Sequence, residues 1–131
     1  MPEYSERSKD KLASADPRLQ VIFNEVVKYF DNTILEGHRG RDDQNEKFRK
    51  GLSKLRYPES EHNSLPSKAI DAAPYPIDWN DRERFSFFAG YVKGIAAGLG
   101  ILIRWGGDWN DNTEVKDNVF DDLVHFEIMG E

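Results

Sequence analysis

The sequence predicts a single α+β domain in which helices pack on a small antiparallel sheet. Helix-like and strand-like apolar patterns are mixed along the chain without the regular alternation of a parallel sheet. The length of 131 residues and the 38% hydrophobic content suit one domain with a modest core. The sequence shows no internal repeat and no linker. We therefore predict one domain over residues 1–131, with residues 1–15 as an N-terminal arm or short helix.

Three further helices are predicted from apolar residues that recur every three or four positions. The second ends at Gly51, and the third is the longest and runs to Leu99. Small residues in the third (Gly90, Gly94, Ala97 and Gly98) predict close packing against a neighbouring element. The predicted N-caps are Asp16, with Pro17 at the first helical position, then Asp42 or Asp43, then Asn80 or Asp81.

Short apolar segments bounded by turn residues predict the strands of the sheet. Pro58 and Pro66 exclude a regular helix in the segment that follows Gly51, before the second predicted strand. The predicted strands are residues 33–36, 68–73, 101–105 and 123–128, and the predicted loops are residues 52–67 and 106–121.

The composition limits the kinds of metal site and binding partner that this chain can have. The chain has no cysteine, so any metal site must use His, Asp and Glu, and only three histidines are present. The net charge of −6 argues against general binding to nucleic acid. No apolar run is long enough to span a membrane, and residues 1–7 lack the pattern of a secretory signal. We therefore expect neither a nucleic-acid nor a membrane partner, and a chain made and folded in the cytoplasm.

Polar residues in apolar strands suggest a metal site. Asp71 is flanked by Ala69, Ile70, Ala72 and Ala73, where an unpaired carboxylate would be costly to bury. His125 lies in a second apolar strand, and His62 lies nine positions before Asp71. Two histidines and one carboxylate are a common catalytic zinc set that leaves a position for water. The alternative from the residues alone is that these histidines are core or surface residues.

Several short motifs occur in a fixed order over nearly the whole chain. They are Ser60-Glu61-His62, Ala69-Ile70-Asp71, Asp122-Leu123-Val124-His125-Phe126-Glu127, Glu36-Gly37-His38-Arg39 with Gln44, Trp105-Gly106-Gly107-Asp108-Trp109 and Ser5-Glu6-Arg7-Ser8. Together these motifs resemble those of the LAS-type zinc peptidases. That group includes D-alanyl-D-alanine dipeptidases and carboxypeptidases and the L-alanyl-D-glutamate endopeptidases of bacteriophages.

The resemblance implies that His62, Asp71 and His125 bind zinc and that a metal-activated water attacks a peptide bond. One feature departs from the family pattern. The family usually separates the first His from the Asp by seven positions, whereas nine separate them here. Both residues can reach one metal only if the two extra residues, near Leu65-Pro66, bulge outward, and a longer loop costs little entropy.

The resemblance also implies roles around the metal. Asp122 is the candidate general base, with Asp121 as its competitor: strand alternation would favour Asp121, so the choice of Asp122 requires the last strand to begin after it. Arg39 is the candidate for stabilising the oxyanion or holding a substrate carboxylate, ahead of Arg41. Ser60 is a candidate for binding substrate or supporting the metal ligands, and Gln44 for binding substrate or bracing the Arg39 turn. Trp109 is a candidate for the substrate cleft, with a core position as the alternative, whereas Trp105 is expected in the core. Glu127 is expected to orient a ligand histidine or to form a salt bridge, and His38 is not expected to bind the metal.

Within the family, the chain is most similar to a phage endolysin that cuts the L-alanyl-D-glutamate bond of the peptidoglycan stem peptide. We expect a monomer that acts on the wall after release from the host cytoplasm. One alternative is a D-alanyl-D-alanine carboxypeptidase or dipeptidase with the same metal chemistry. Another is a non-catalytic wall-binding protein of the same fold, and a third is a domain whose histidines are structural.

Overall fold

The sheet that carries the predicted site has four antiparallel strands. The computed structural model describes residues 2–113 and 122–130. The strands are β1 (Asn32–Glu36), β2 (Ala69–Pro74), β3 (Ile103–Trp105) and β4 (His125–Ile128), arranged in the order β1-β2-β4-β3. Helices are mixed with these strands, so the predicted α+β class is confirmed.

The described residues form four α helices and one short 3-10 helix. Asp16 and Asp81 cap their helices as predicted, and Ser5 caps an N-terminal helix where an arm or short helix was expected. The predicted cap at Asp42 or Asp43 is wrong. The helix starts earlier, after Gly40, and both aspartates lie in its first turn, where they face the positive end of the helix dipole. The helices are α1 (Glu6–Ala13), α2 (Pro17–Val26), α3 (Arg41–Arg49) and α4 (Arg82–Gly98), with the 3-10 helix at Glu61–Asn63.

The hydrophobic core lies on one face of the sheet, under α2 and α4. Ile70 and Ala72 of β2 belong to this core, and by strand alternation the intervening Asp71 points to the opposite face. Phe126 of β4 lies between the two helices, with its ring centroid 5.6 Å from that of Phe23 and 6.0 Å from that of Phe88. The core therefore occupies one face, and the polar residues of β2 and β4 are left for the other.

The small residues of α4 do not pack against a neighbour, so that prediction is wrong. A Cβ atom added at Gly90, Gly94 or Gly98 would meet nothing within 4 Å, and Ala97 is exposed. The helix instead packs through larger side chains such as Phe88 and Val92 on its other side. The described helices also include none that is long and apolar enough to cross a membrane.

The last strand is shorter than predicted and begins at His125. Asp122 therefore precedes it, as the choice of Asp122 requires. Asp121 lies outside the described residues. β4 is central in the sheet, and its pairing with both β2 and β3 fixes the positions of its polar side chains.

Candidate metal centre and cleft

His62, Asp71 and His125 come together on the face of the sheet opposite the core. Asp71 Oδ1 lies 3.1 Å from His62 Nε2 and 3.3 Å from His125 Nδ1. One ligand atom from each residue lies within 4.8 Å of the others, and all three residues are buried or half-buried. In residues 2–113 and 122–130 this is the one group of such side chains with metal-site spacing.

Two different parts of the fold position these ligands. Asp71 and His125 are paired directly across β2 and β4, so the strand register brings them together. His62 belongs to the 3-10 helix, whose N-cap Ser60 accepts a hydrogen bond from the His62 backbone N–H. Between His62 and Asp71, Leu65 and Pro66 are exposed and Ser67 is buried. The nine-position spacing still lets His62 Nε2 lie 3.1 Å from Asp71 Oδ1.

The second nitrogen of each histidine already has a partner. His62 Nδ1 donates to the carbonyl oxygen of Gly37 at 2.7 Å, and His125 Nε2 donates to Glu127 Oε1 at 2.7 Å. This leaves His62 Nε2 and His125 Nδ1 directed at Asp71. Metal-binding histidines typically donate their other ring nitrogen to a carbonyl or carboxylate in this way. The donor set therefore fits a divalent metal ion. Glu127 makes the contact that each of its two predicted roles requires, a hydrogen bond with His125 and a salt bridge with Arg104.

Without a metal, the three groups stabilise each other electrostatically. Burial alone would raise the pKa of Asp71, but the charge of His62 and hydrogen bonds from both histidines hold it well below its usual range. Burial alone would lower the pKa of His125, but hydrogen bonds to Asp71 and Glu127 outweigh it and raise the pKa to about 9. Positive charge on the His125 ring is thus stabilised by the two neighbouring carboxylates, Asp71 and Glu127.

Arg39 lies beside the ligands in a network of buried polar groups. Its guanidinium donates to Glu36 at 2.8 and 3.0 Å and to Gln44 at 2.8 Å, and it lies 3.7 Å from Asp71 Oδ2. Gln44 is fully buried; it also accepts from Asn63 and donates to the carbonyl oxygen of Leu55. Gln44 therefore braces Arg39 from beneath the cleft and does not reach its surface.

Asp122 reaches the site from the segment just before β4. Its backbone N–H donates to the carbonyl oxygen of Gly106 at 2.9 Å, and its own carbonyl oxygen accepts from the His125 N–H at 3.1 Å. A Cβ atom at position 106 would collide with the Asp122 carbonyl oxygen, so this approach requires glycine. Burial, and then the negative charge of Asp71, raise the pKa of the Asp122 carboxyl.

The ligands open into a cleft of about 600 Å³. Arg39, Asp122 and Trp109 line it, and the Trp109 ring lies 5.4 Å from that of His125. Sequence reasoning missed two parts of this cleft. Residues 52–55 line one part of the cleft, and Arg104 lines another part together with Glu127. The only signal for Arg104 was a charged residue in an apolar strand.

Three other residues considered from the sequence lie outside the group of candidate metal ligands. His38 Nδ1 donates to the carbonyl oxygen of Ser64 at 2.9 Å, and His38 is not part of the metal-spaced group, as predicted. Arg41 pairs with Asp42 on the surface, with 71% of its side chain exposed. Trp105 is buried in the core, as predicted, and its indole N–H donates to the backbone of Leu123.

Comparisons with known proteins agree over nearly the whole chain. The sequence model of a family described as phage L-alanyl-D-glutamate peptidase matches residues 2–129. The L-alanyl-D-glutamate peptidase of Escherichia phage T5 is 31% identical over 122 residues, which cover 89% of this chain and 88% of that relative. The crystal structure of the L-Ala D-Glu endopeptidase ChiX of Serratia marcescens matches with a TM-score of 0.75 and 25% identity, covering 96% of this chain and 90% of that one.

Proposed function

The chain belongs to the phage L-alanyl-D-glutamate peptidase family and acts on the peptidoglycan stem peptide, and from this premise we propose that it uses a zinc ion held by His62, Asp71 and His125. The observation that carries the proposal is the convergence of three ligand atoms within 4.8 Å, with the remaining imidazole nitrogens already bonded. Two histidines and one carboxylate favour zinc and leave room for water and substrate.

The proposed chemistry is hydrolysis by an activated water molecule. A zinc ion, when bound, supplies polarisation of the scissile carbonyl and a lowered pKa for a water molecule. The Asp122 carboxylate accepts the proton of the attacking water and passes it to the amine of the departing D-glutamate. This role is supported by the position of Asp122, which lines the same cleft as His62, Asp71 and His125.

Arg39 is proposed to stabilise the negative charge that develops on the carbonyl oxygen. A guanidinium fixed in place before the reaction stabilises such charge without having to reorganise. Glu36 and Gln44 hold it at 2.8 Å each, so its position is fixed by the fold. We assign Gln44 as a positioning residue, because it contacts Arg39 and is fully buried.

Trp109 and Ser60 are proposed to contact the stem peptide. Trp109 lines the cleft beside His125 and offers an apolar surface for the alanine side of the bond. Ser60 also lines the cleft, and its hydroxyl oxygen accepts from the backbone of His62, so it supports a ligand as well as the cleft floor.

We also propose that the chain works as a monomeric, single catalytic domain that reaches the wall from the host cytoplasm. All the metal ligands and the proposed base come from one chain, and one family match spans residues 2–129. Size-exclusion chromatography with light scattering would test the monomer, since a dimer would elute at twice the mass.

Digestion of defined muropeptides tests the function. Mass spectrometry should find fragments with a new N-terminal D-glutamate, produced by the wild type and stopped by a chelator. Zinc should restore the activity, and elemental analysis of protein purified without added metal should find zinc. The His62→Ala variant should be inactive, whereas His38→Ala, which removes a histidine outside the candidate ligand group, should remain active. Loss of terminal D-alanine instead would identify a carboxypeptidase, and activity that survives the chelator would contradict the metal mechanism.

A further inference from the structure

A chain of contacts leads away from the proposed ligand His125. His125 Nε2 donates to Glu127 Oε1 at 2.7 Å, and Arg104 Nη2 donates to Glu127 Oε2 at 2.7 Å. One carboxylate is therefore held between an imidazole and a guanidinium, and each partner uses a different oxygen.

The strand register places these side chains. Arg104 of β3 lies directly opposite Glu127 of β4, and cross-strand neighbours on one face are close enough to pair. His125 lies two residues before Glu127 and therefore points to the same face. The geometry of the contact is thus built into the pairing of β3 with β4.

Arg104 also contacts the wall of the cleft. Its Nη1 donates to the carbonyl oxygen of Trp109 at 3.3 Å, and its guanidinium carbon lies 5.5 Å from the centre of the Trp109 ring. The Trp109 ring in turn lies 5.4 Å from the His125 ring. Arg104 and His125 therefore each contact both Glu127 and Trp109, and Arg104 approaches them from the side away from the candidate metal ligands.

We propose that Arg104 is a positioning residue for the metal centre: it holds Glu127 and Trp109, and through them it fixes the orientation of the His125 imidazole. This inference rests on the proposed role of His125 as a metal ligand. A purely structural ion pair is the alternative. The Arg104 side chain is 37% exposed and that of Glu127 10% exposed, so solvent screens part of this ion pair. We expect its loss to affect metal binding more than folding.

The Arg104→Met variant of the full chain separates these two roles. Zinc affinity is measured by competition with a chromophoric chelator, and the fold of the metal-free protein by circular dichroism and thermal unfolding. We expect zinc affinity to fall about tenfold or more, as for other partners of metal-binding histidines, with the metal-free fold retained. Arg104→Lys should recover part of the affinity, because an ammonium can still reach Glu127.

Arg84 provides a matched control on the other side of the molecule. It lies over the Phe30 ring and donates to the carbonyl oxygens of Tyr75 and Pro76, so it resembles Arg104 in its contacts but not in its location. Arg84→Met should leave zinc affinity unchanged. An equal loss of affinity in both variants would overturn the inference.

A double-mutant cycle tests whether Arg104 acts through Glu127. In the Glu127→Gln background, Arg104→Met should change zinc affinity by less than its effect in the wild type, because the contact is already weakened. The same fold-change in both backgrounds, or full zinc affinity in Arg104→Met, would overturn the inference alone. A wild-type protein that binds no zinc would overturn the proposed function, and the inference with it.

Discussion

Asp71 and His125 face each other across neighbouring antiparallel strands, and His125 Nδ1 lies 3.3 Å from Asp71 Oδ1. Two of the three proposed ligands thus belong to the central strands of the sheet, whose other face is packed by the core. His62 reaches them from the 3-10 helix. Sites built on strands and helices hold their geometry better than sites built on loops, so the sheet can act as the rigid half of the metal centre.

The metal-free protein should lose stability as the pH rises. The pKa of His125 is raised from 6.5 to about 9 in the folded state. A raised pKa means that the folded state binds the proton more tightly, so this stabilisation is complete below about pH 6.5 and is lost as the pH rises through about 9. We expect the free energy of unfolding to fall by on the order of 3 kcal/mol across this range.

Urea denaturation in the presence of a chelator, at a series of pH values, measures this change. His125→Gln should flatten the slope, whereas His38→Gln should keep it. A wild-type stability that rises over the same range would contradict the prediction.

Asp122→Asn should abolish most turnover but keep the metal. Removing a general base typically costs about 10²–10⁴-fold in rate, and the amide keeps the size of the side chain. Steady-state assays on muropeptides measure the rate, and chelator competition should give near wild-type zinc affinity. Asp42→Asn is the control, because its side chain is 92% exposed. If Asp122→Asn retained full turnover, the base would have to be sought elsewhere, with Asp121 as the first candidate.

Gly106→Ala should damage the active site, whereas Gly94→Ala should not. A Cβ at position 106 would collide with the backbone of Asp122, which has little room to move because it is hydrogen-bonded to Gly106 and His125. We expect a loss of activity of about tenfold or more and a destabilisation of roughly 1–3 kcal/mol. Gly94 is exposed in α4 with nothing near it, so alanine there should stabilise the helix by up to about 1 kcal/mol. Thermal unfolding and activity assays on both variants give the comparison, and a fully active Gly106→Ala would contradict the proposed position of Asp122.

Gln44→Ala should lower both stability and turnover. The change leaves the buried Arg39 Nη1 without its partner, and an unsatisfied buried group costs roughly 1–3 kcal/mol. Because Arg39 is loosened, kcat should fall while zinc affinity is kept. Urea denaturation and steady-state kinetics are the measurements. Gln20→Ala, in which the lost hydrogen bond lies on α2, is the control and should leave kcat unchanged.

The sequence was sufficient for the fold class and for the three residues that converge at the candidate metal centre. Helix caps such as Asp16 and Asp81 are local signals, because the capping side chain bonds a backbone group two or three residues away. The absence of cysteine limited the ligands to His, Asp and Glu. The motif order then selected His62, Asp71 and His125 from the carboxylates and histidines available.

Tertiary structure decided the surroundings of those residues. The pairing of Arg104 with Glu127 depends on the register of β3 against β4, and the burial of Gln44 depends on where α3 meets residues 53–55. The prediction that the glycines of α4 pack closely against a neighbour was wrong, because these glycines are exposed. Small residues are compatible with either close packing or solvent, and their local pattern does not distinguish the two. A local sequence pattern depends on the neighbours of a residue along the chain. The contact between His62 and His125 joins residues 63 positions apart. Such contacts are determined only by how whole helices and strands pack together.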